Sequence, residues 1–153
     1  GITWAHARIP DNAGKQPFSQ RIIDGAPDAY FSSLPVNAMV AAMKQAEIPA
    51  AVSYTTGTYV CNDVMYQVLH ALATRFPETR GTFLHVPFAT EQVAEKNAAG
   101  EKGAAGEKSA AGEKFRPVPS MPLEMMTRGL QVALEAALAT DVDLADSESG
   151  TTC

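Results

Sequence analysis

The middle of the chain carries a strand-helix-strand pattern, and this constrains the fold more than any other feature. Ala51-Val52-Ser53-Tyr54-Thr55 is a short run with β-branched and aromatic members, and Thr82-Phe83-Leu84-His85-Val86 is a second, bounded by Gly81 and Pro87. Both read as short strands. Between them, Asn62 to Arg75 places Val64, Met65, Val68, Leu69 and Leu72 on one helical face, and Phe76-Pro77 stops the pattern. Strand, helix and strand at this spacing make a βαβ unit whose strands are parallel neighbours. The expected fold class is therefore α/β, a three-layer sandwich with a mainly parallel central sheet and helices on both faces. In such sheets sites form at the carboxyl ends of the strands, where Cys61 and His85 both fall.

The flanking regions are read the same way. Residues 1–34 are extended and loop-like, with turns at Ile9-Pro10-Asp11-Asn12 and Gly25-Ala26-Pro27-Asp28. Val36, Met39, Val40 and Met43 have helical spacing, so a helix is expected from about Pro35 to Glu47, ended by Ile48-Pro49. Ala-Ala-Gly-Glu-Lys occurs three times at a period of six, from Ala98, Ala104 and Ala110. With no large apolar residue before Phe115 it has nothing to bury, and it reads as a mobile low-complexity insertion at about 97–115. Its Gly106-Glu107-Lys108-Ser109 has the wrong glycine spacing for a phosphate loop and no strand before it. Ser120 is the expected N-cap of a last helix, with Leu123, Met126, Leu130, Leu134 and Ala137 as its apolar stripe to Ala139. Residues 1–139 are thus expected to form one domain, interrupted by the insertion. Residues 140–153 are expected to be a frayed acidic tail in which Cys153 is an exposed thiol without a role.

Charge and cysteine usage exclude several function classes. Twelve Lys and Arg against 17 Asp and Glu give −5, with no basic cluster to neutralise phosphates, so no nucleic-acid partner is expected. Two cysteines do not make a disulfide framework, and no apolar stretch reaches the roughly 20 residues of a membrane span. A reducing, cytoplasmic setting follows, with no membrane partner and no cofactor. A metal held by Cys61, His85 and a carboxylate has no ligand-pair spacing behind it. The chain begins with Gly1 in what reads as the middle of a segment, so a fragment or processed product is expected.

Cys61 lies where helix N–H groups favour a thiolate, which suits a nucleophile. A buried core thiol explains the same position. His85 interrupts an apolar run and can approach Cys61 across the βαβ unit to take its proton, while a purely structural histidine also fits there. His6, in an irregular segment, and His70, inside a helix, are expected to be solvated.

Five blocks bear on the choice: Ala7-Arg8-Ile9-Pro10-Asp11-Asn12, Tyr30-Phe31-Ser32-Ser33-Leu34-Pro35, Gly57-Thr58-Tyr59-Val60-Cys61-Asn62 with Met65-Tyr66, Leu84-His85-Val86-Pro87, and Pro119-Ser120-Met121. In order and approximate spacing they resemble pyroglutamyl peptidase type I, the pyrrolidone-carboxylate peptidase family of cysteine peptidases. The resemblance runs from Gly1 to about Ala139 apart from the insertion. It implies an α/β enzyme, commonly a homotetramer, that removes N-terminal pyroglutamyl residues from peptides without a cofactor. It further implies Cys61 as nucleophile, His85 as general base and then acid, and Arg8 as a cation beside the reacting carbonyl. Ile9, Tyr59 and Val60 match positions enclosing the lactam ring.

The family's third catalytic member is a glutamate ten residues before the position of Arg8, which falls before Gly1. The first strand and the glycine- and phenylalanine-containing loop of the pyroglutamate pocket are absent as well. Glu47, Glu91 and Glu124 do not occupy the missing position. The chain alone is therefore expected to be weak or inactive. A non-catalytic fragment or pseudoenzyme, and another α/β hydrolase with a Cys-His pair acting on amides or esters, stand as alternatives.

Overall fold

The structure is a computed structural model that describes residues 1–98 and 119–145. Most of the expected insertion and the end of the expected tail, with Cys153, lie outside the described residues. In chain order the elements are β1 (Trp4–Ala5), β2 (Gln20–Arg21), α1 (Val36–Gln45), α2 (Val60–Arg75), β3 (Phe88–Ala89), α3 (Thr90–Ala98), β4 (Ser120–Met121) and α4 (Leu123–Ala139). The three long helices fall where helical periodicity predicts them; α3 has no counterpart in the sequence reading.

The strands do not follow the prediction. Neither 51–55 nor 82–86 is paired in a ladder. Instead β1 pairs antiparallel with β2, Trp4 opposite Arg21 and Ala5 opposite Gln20, beside an Ile2–Ala29 bridge. The parallel pairing lies just beyond the second run, between β3 and β4, with Phe88 opposite Ser120 and Ala89 opposite Met121. A strand is completed by its neighbour, so β-prone composition makes a run ready to pair without making it a ladder. Within the two runs Val52 is buried, while Leu84 and Val86 are exposed.

The central packing is α1 against α4. Met39 from α1 and Ala133 and Ala137 from α4 are buried together, with Leu34, Met43 and Ala136 around them. The stripe of α4 that meets α1 is made of small residues. Gly129 is its tightest point: a Cβ there would lie 3.1 Å from Met43 Cε and 3.4 Å from Ile48 Cγ2. Of the expected stripe, Met126 and Ala137 are buried, whereas Leu123, Leu130 and Leu134 point outward, together with Leu138. Ser120 is not the N-cap of α4 either; it pairs in β4, and Pro122 stands at the cap without a side-chain bond.

Both helices are finished by distant parts of the chain. The N-cap of α1, Pro35, caps nothing with its side chain. Asp143 does so instead, its carboxylate accepting from Asn37 N at 3.1 Å and Ala38 N at 3.0 Å. At the same end of the pair, where α4 finishes beside the start of α1, Arg80 donates to the carbonyls of Ala137 at 3.0 Å and Thr140 at 3.2 Å. The expected frayed tail is therefore anchored over residues 140–145. Burial raises the pKa of Asp143, but the N–H groups of Ala38, Asn37 and Leu144, with the Asn37 side chain, outweigh it and hold the carboxyl below its ordinary value.

Candidate active site

Gly57, at φ +74°, turns the chain out of the first extended run, and extended Tyr59 forms the N-cap of α2. Cys61 is thus the second residue of the helix rather than a residue ahead of it. The cap side chain makes no bond, so α2 begins with backbone N–H groups aimed past its end. Cys61 is half-buried, and its Sγ lies 3.8 Å from His85 Nδ1. His85 is exposed on the second extended run, its ring 6.4 Å from that of Phe83. The structure thus brings together the two residues that sequence reasoning placed at adjacent strand ends.

The N-terminal segment is stitched to this turn. Asn62, the next residue after the thiol, is 1% exposed and uses its whole amide. Its Oδ1 accepts from Ile2 N at 2.8 Å and from Thr56 Oγ1 at 3.5 Å, while Nδ2 donates to Ile2 O at 2.9 Å and Trp4 O at 3.2 Å. Farther along, His6 N donates to Thr58 O at 2.8 Å and Thr58 Oγ1 returns a bond to His6 O at 2.9 Å. Arg8 follows two residues later on an exposed stretch. Sequence reasoning quoted Asn62 within a motif without giving it a task. The available signal was its place at the head of the series Asn62, Tyr66, Leu69, which is the buried face of α2. Val64 and Val68, expected on that face, are exposed.

The remaining candidates are not drawn into an enclosed slot. Tyr59 is half-buried and Val60 follows it at the start of α2, but Val60 is 47% and Ile9 64% exposed. A cavity of about 160 Å³ lies elsewhere, between the 30–33 stretch and the far half of α2, lined by Tyr30, Phe31, Leu69, Leu72 and Pro77. His6 and His70 are not simply solvated: His6 Nδ1 lies 3.1 Å from Ser19 Oγ, and Tyr30 Oη lies 2.9 Å from His70 Nδ1. Among the described residues, no three His, Cys, Asp or Glu side chains group to hold a metal ion, and no helix is long and apolar enough to cross a membrane.

A thiol in the first turn of a helix, with an imidazole nitrogen facing it, can carry out acyl transfer, the chemistry of proteins built around a Cys-His pair. The chain belongs to the pyroglutamyl peptidase family, whose model matches residues 1–140. It is 41% identical over 151 residues to the pyrrolidone-carboxylate peptidase of Enterococcus faecalis, covering 99% of this chain and 62% of the relative. It is 44% identical over 153 residues to that of Streptomyces coelicolor, with the same coverage. The crystal structure of pyroglutamyl peptidase I from Bacillus amyloliquefaciens superposes with a TM-score of 0.78 at 34% identity, over 95% of this chain and 60% of that one. The fold is accordingly of the α/β kind. The chain spans 62% of the length of each of these two curated relatives.

Proposed function

We propose that this chain is the part of a cysteine peptidase that carries nucleophile and base, and that the whole enzyme releases N-terminal pyroglutamyl residues from peptides. The observation that carries the reading is the 3.8 Å approach of Cys61 Sγ to His85 Nδ1. The thiol proton passes to Nδ1, and the thiolate attacks the pyroglutamyl carbonyl to form a tetrahedral oxyanion. The guanidinium of Arg8 and the free N–H groups at the start of α2 stabilise that charge. His85 then protonates the leaving amine as the C–N bond breaks, leaving a thioester on Cys61. A water deprotonated by His85 attacks the thioester, and the thiol is regenerated with release of pyroglutamate.

With Nδ1 turned to the thiol, Nε2 is left to donate to an orienting carboxylate. The family's glutamate, outside this chain, has that role. Ile9, Tyr59 and Val60 form one side of an apolar slot for the uncharged lactam, while desolvation disfavours a charged N-terminus. The exposure of Ile9 and Val60 in this chain supports a second, narrower reading: residues 1–153 alone are weak or inactive, because the rest of the slot comes from family sequence not present here. In the whole protein the fold is a three-layer sandwich with a mainly parallel sheet, residues 1–139 contribute to one domain, and the enzyme is a cytoplasmic homotetramer.

The test is turnover of a pyroglutamyl amide by the full-length protein. Cys61→Ser and His85→Ala should each lower kcat by at least about a thousandfold, the scale seen when one member of a catalytic unit is removed. Full turnover by either variant, or equal cleavage of a plain aminoacyl amide, rejects the assignment.

A further inference from the structure

Asn62 is a buried polar side chain beside the nucleophile that the mechanism above does not use. An asparagine amide offers two donors and an acceptor oxygen, and here they all go to residues at two places: Ile2 and Trp4 of the N-terminal segment, and Thr56 just before the Gly57 turn. None goes to α2 itself. The amide therefore adds little to the helix and instead fixes where the first turn of α2 lies relative to residues 2–4. The reciprocal His6–Thr58 bonds continue the same seam toward Arg8, while Ile22 N donates to Thr3 O from the other side.

Resting on the reading of Cys61 and Arg8 given above, we propose that Asn62 is a positioning residue that keeps the thiol-bearing turn in register with the segment leading to Arg8. Sulfur and guanidinium then face the same carbonyl. The bonds of Asn62 are made to the backbone at Ile2 and Trp4, so the register is independent of the side chains at those positions. The role also predicts selectivity for asparagine. Aspartate keeps the acceptor for Ile2 N but loses both donors and adds a charge, while alanine loses the seam.

The experiment reads the thiol directly and needs no turnover. In a Cys153→Ser background, Cys61 is alkylated with anionic iodoacetate and with neutral iodoacetamide. A guanidinium beside the sulfur should favour the anion by about fivefold relative to Arg8→Ala, the factor a unit charge a few ångströms away exerts through water. Asn62→Ala should lose that preference to the same extent as Arg8→Ala, and the double variant should lose no more than either single one. Tyr66→Phe, which removes a buried hydroxyl bonded to Pro27 O, controls for destabilisation alone and should retain the preference. Where Asn62→Ala unfolds, Asn62→Ser, read in the cold, takes its place with the same expectation. A folded Asn62 variant that keeps the Arg8-dependent preference overturns the positioning role alone. A wild-type protein without any anion preference overturns the placement of Arg8, and the positioning role with it.

Discussion

Glu47 holds a φ of +60°, the left-handed region that costs an ordinary residue about 1 kcal/mol or more and glycine almost nothing. It does so because α1 ends in a Schellman motif, with Ile48 N donating to Met43 O and Glu47 N to Lys44 O. Glu47→Gly should therefore stabilise the protein by about 0.5 kcal/mol after the extra entropy of glycine in the unfolded chain, visible as a higher urea midpoint with an unchanged m-value. A lower midpoint would mean that the glutamate side chain contributes something its position does not reveal. At this scale the approach of Cys61 to His85 was legible, whereas nothing in the sequence showed that Ile9 and Val60 would stand exposed. Cys61 and His85 are chemically conspicuous residues in otherwise apolar surroundings, and both carry the expected proximity. Asn62 was harder to read, since all its partners but Thr56 are backbone groups about sixty residues away and no periodicity encodes them. The partners of His6 and His70 are side chains 13 and 40 residues away, which no local pattern encodes either.

Among the elements, the helices were legible because their spacing is local, and α1 packs Met39 and Met43 as that spacing predicts, but the buried faces of α2 and α4 were legible only in part. In α4 apolar residues occur almost all round, and leucines are heavier than the Gly129 and Ala133 between them, so a sequence reading favours the leucines. Packing favours the small residues, which let the α1 and α4 backbones approach and fill the gap with Met39 and Met43. The two β-prone runs were misread as a pair because pairing depends on the neighbour and not on the run. The cap of α1 belongs to this scale as well. Asp143→Ala should cost about 1 kcal/mol at neutral pH, the usual worth of a side-chain cap. Because the folded carboxyl titrates below its unfolded value near 3.9, this contribution is complete above the unfolded value and disappears as the pH falls through the folded one. Urea unfolding of wild type and variant should then diverge at neutral pH and converge in acid; a constant difference would show that the carboxylate's charge is not what matters.

For the whole molecule, the outward leucines of α4 form an apolar face that the described chain leaves uncovered. Leu134 is 54% and Leu138 81% exposed. If the proposed homotetramer buries this face, Leu134→Glu combined with Leu138→Glu should shift the full-length protein toward monomer in sedimentation velocity while leaving helix content unchanged. An unchanged sedimentation coefficient would assign the face to something other than self-association. The link between Asp143 and α1 also has a spectroscopic consequence. Amides in the first turn of a helix have no partner within it and normally exchange with solvent quickly, yet those of Asn37 and Ala38 are held by a carboxylate more than a hundred residues away. Slow deuterium uptake at these two amides would act as a reporter of whether residues 140–145 are docked, so that opening at the end of the described chain could be followed at the start of α1.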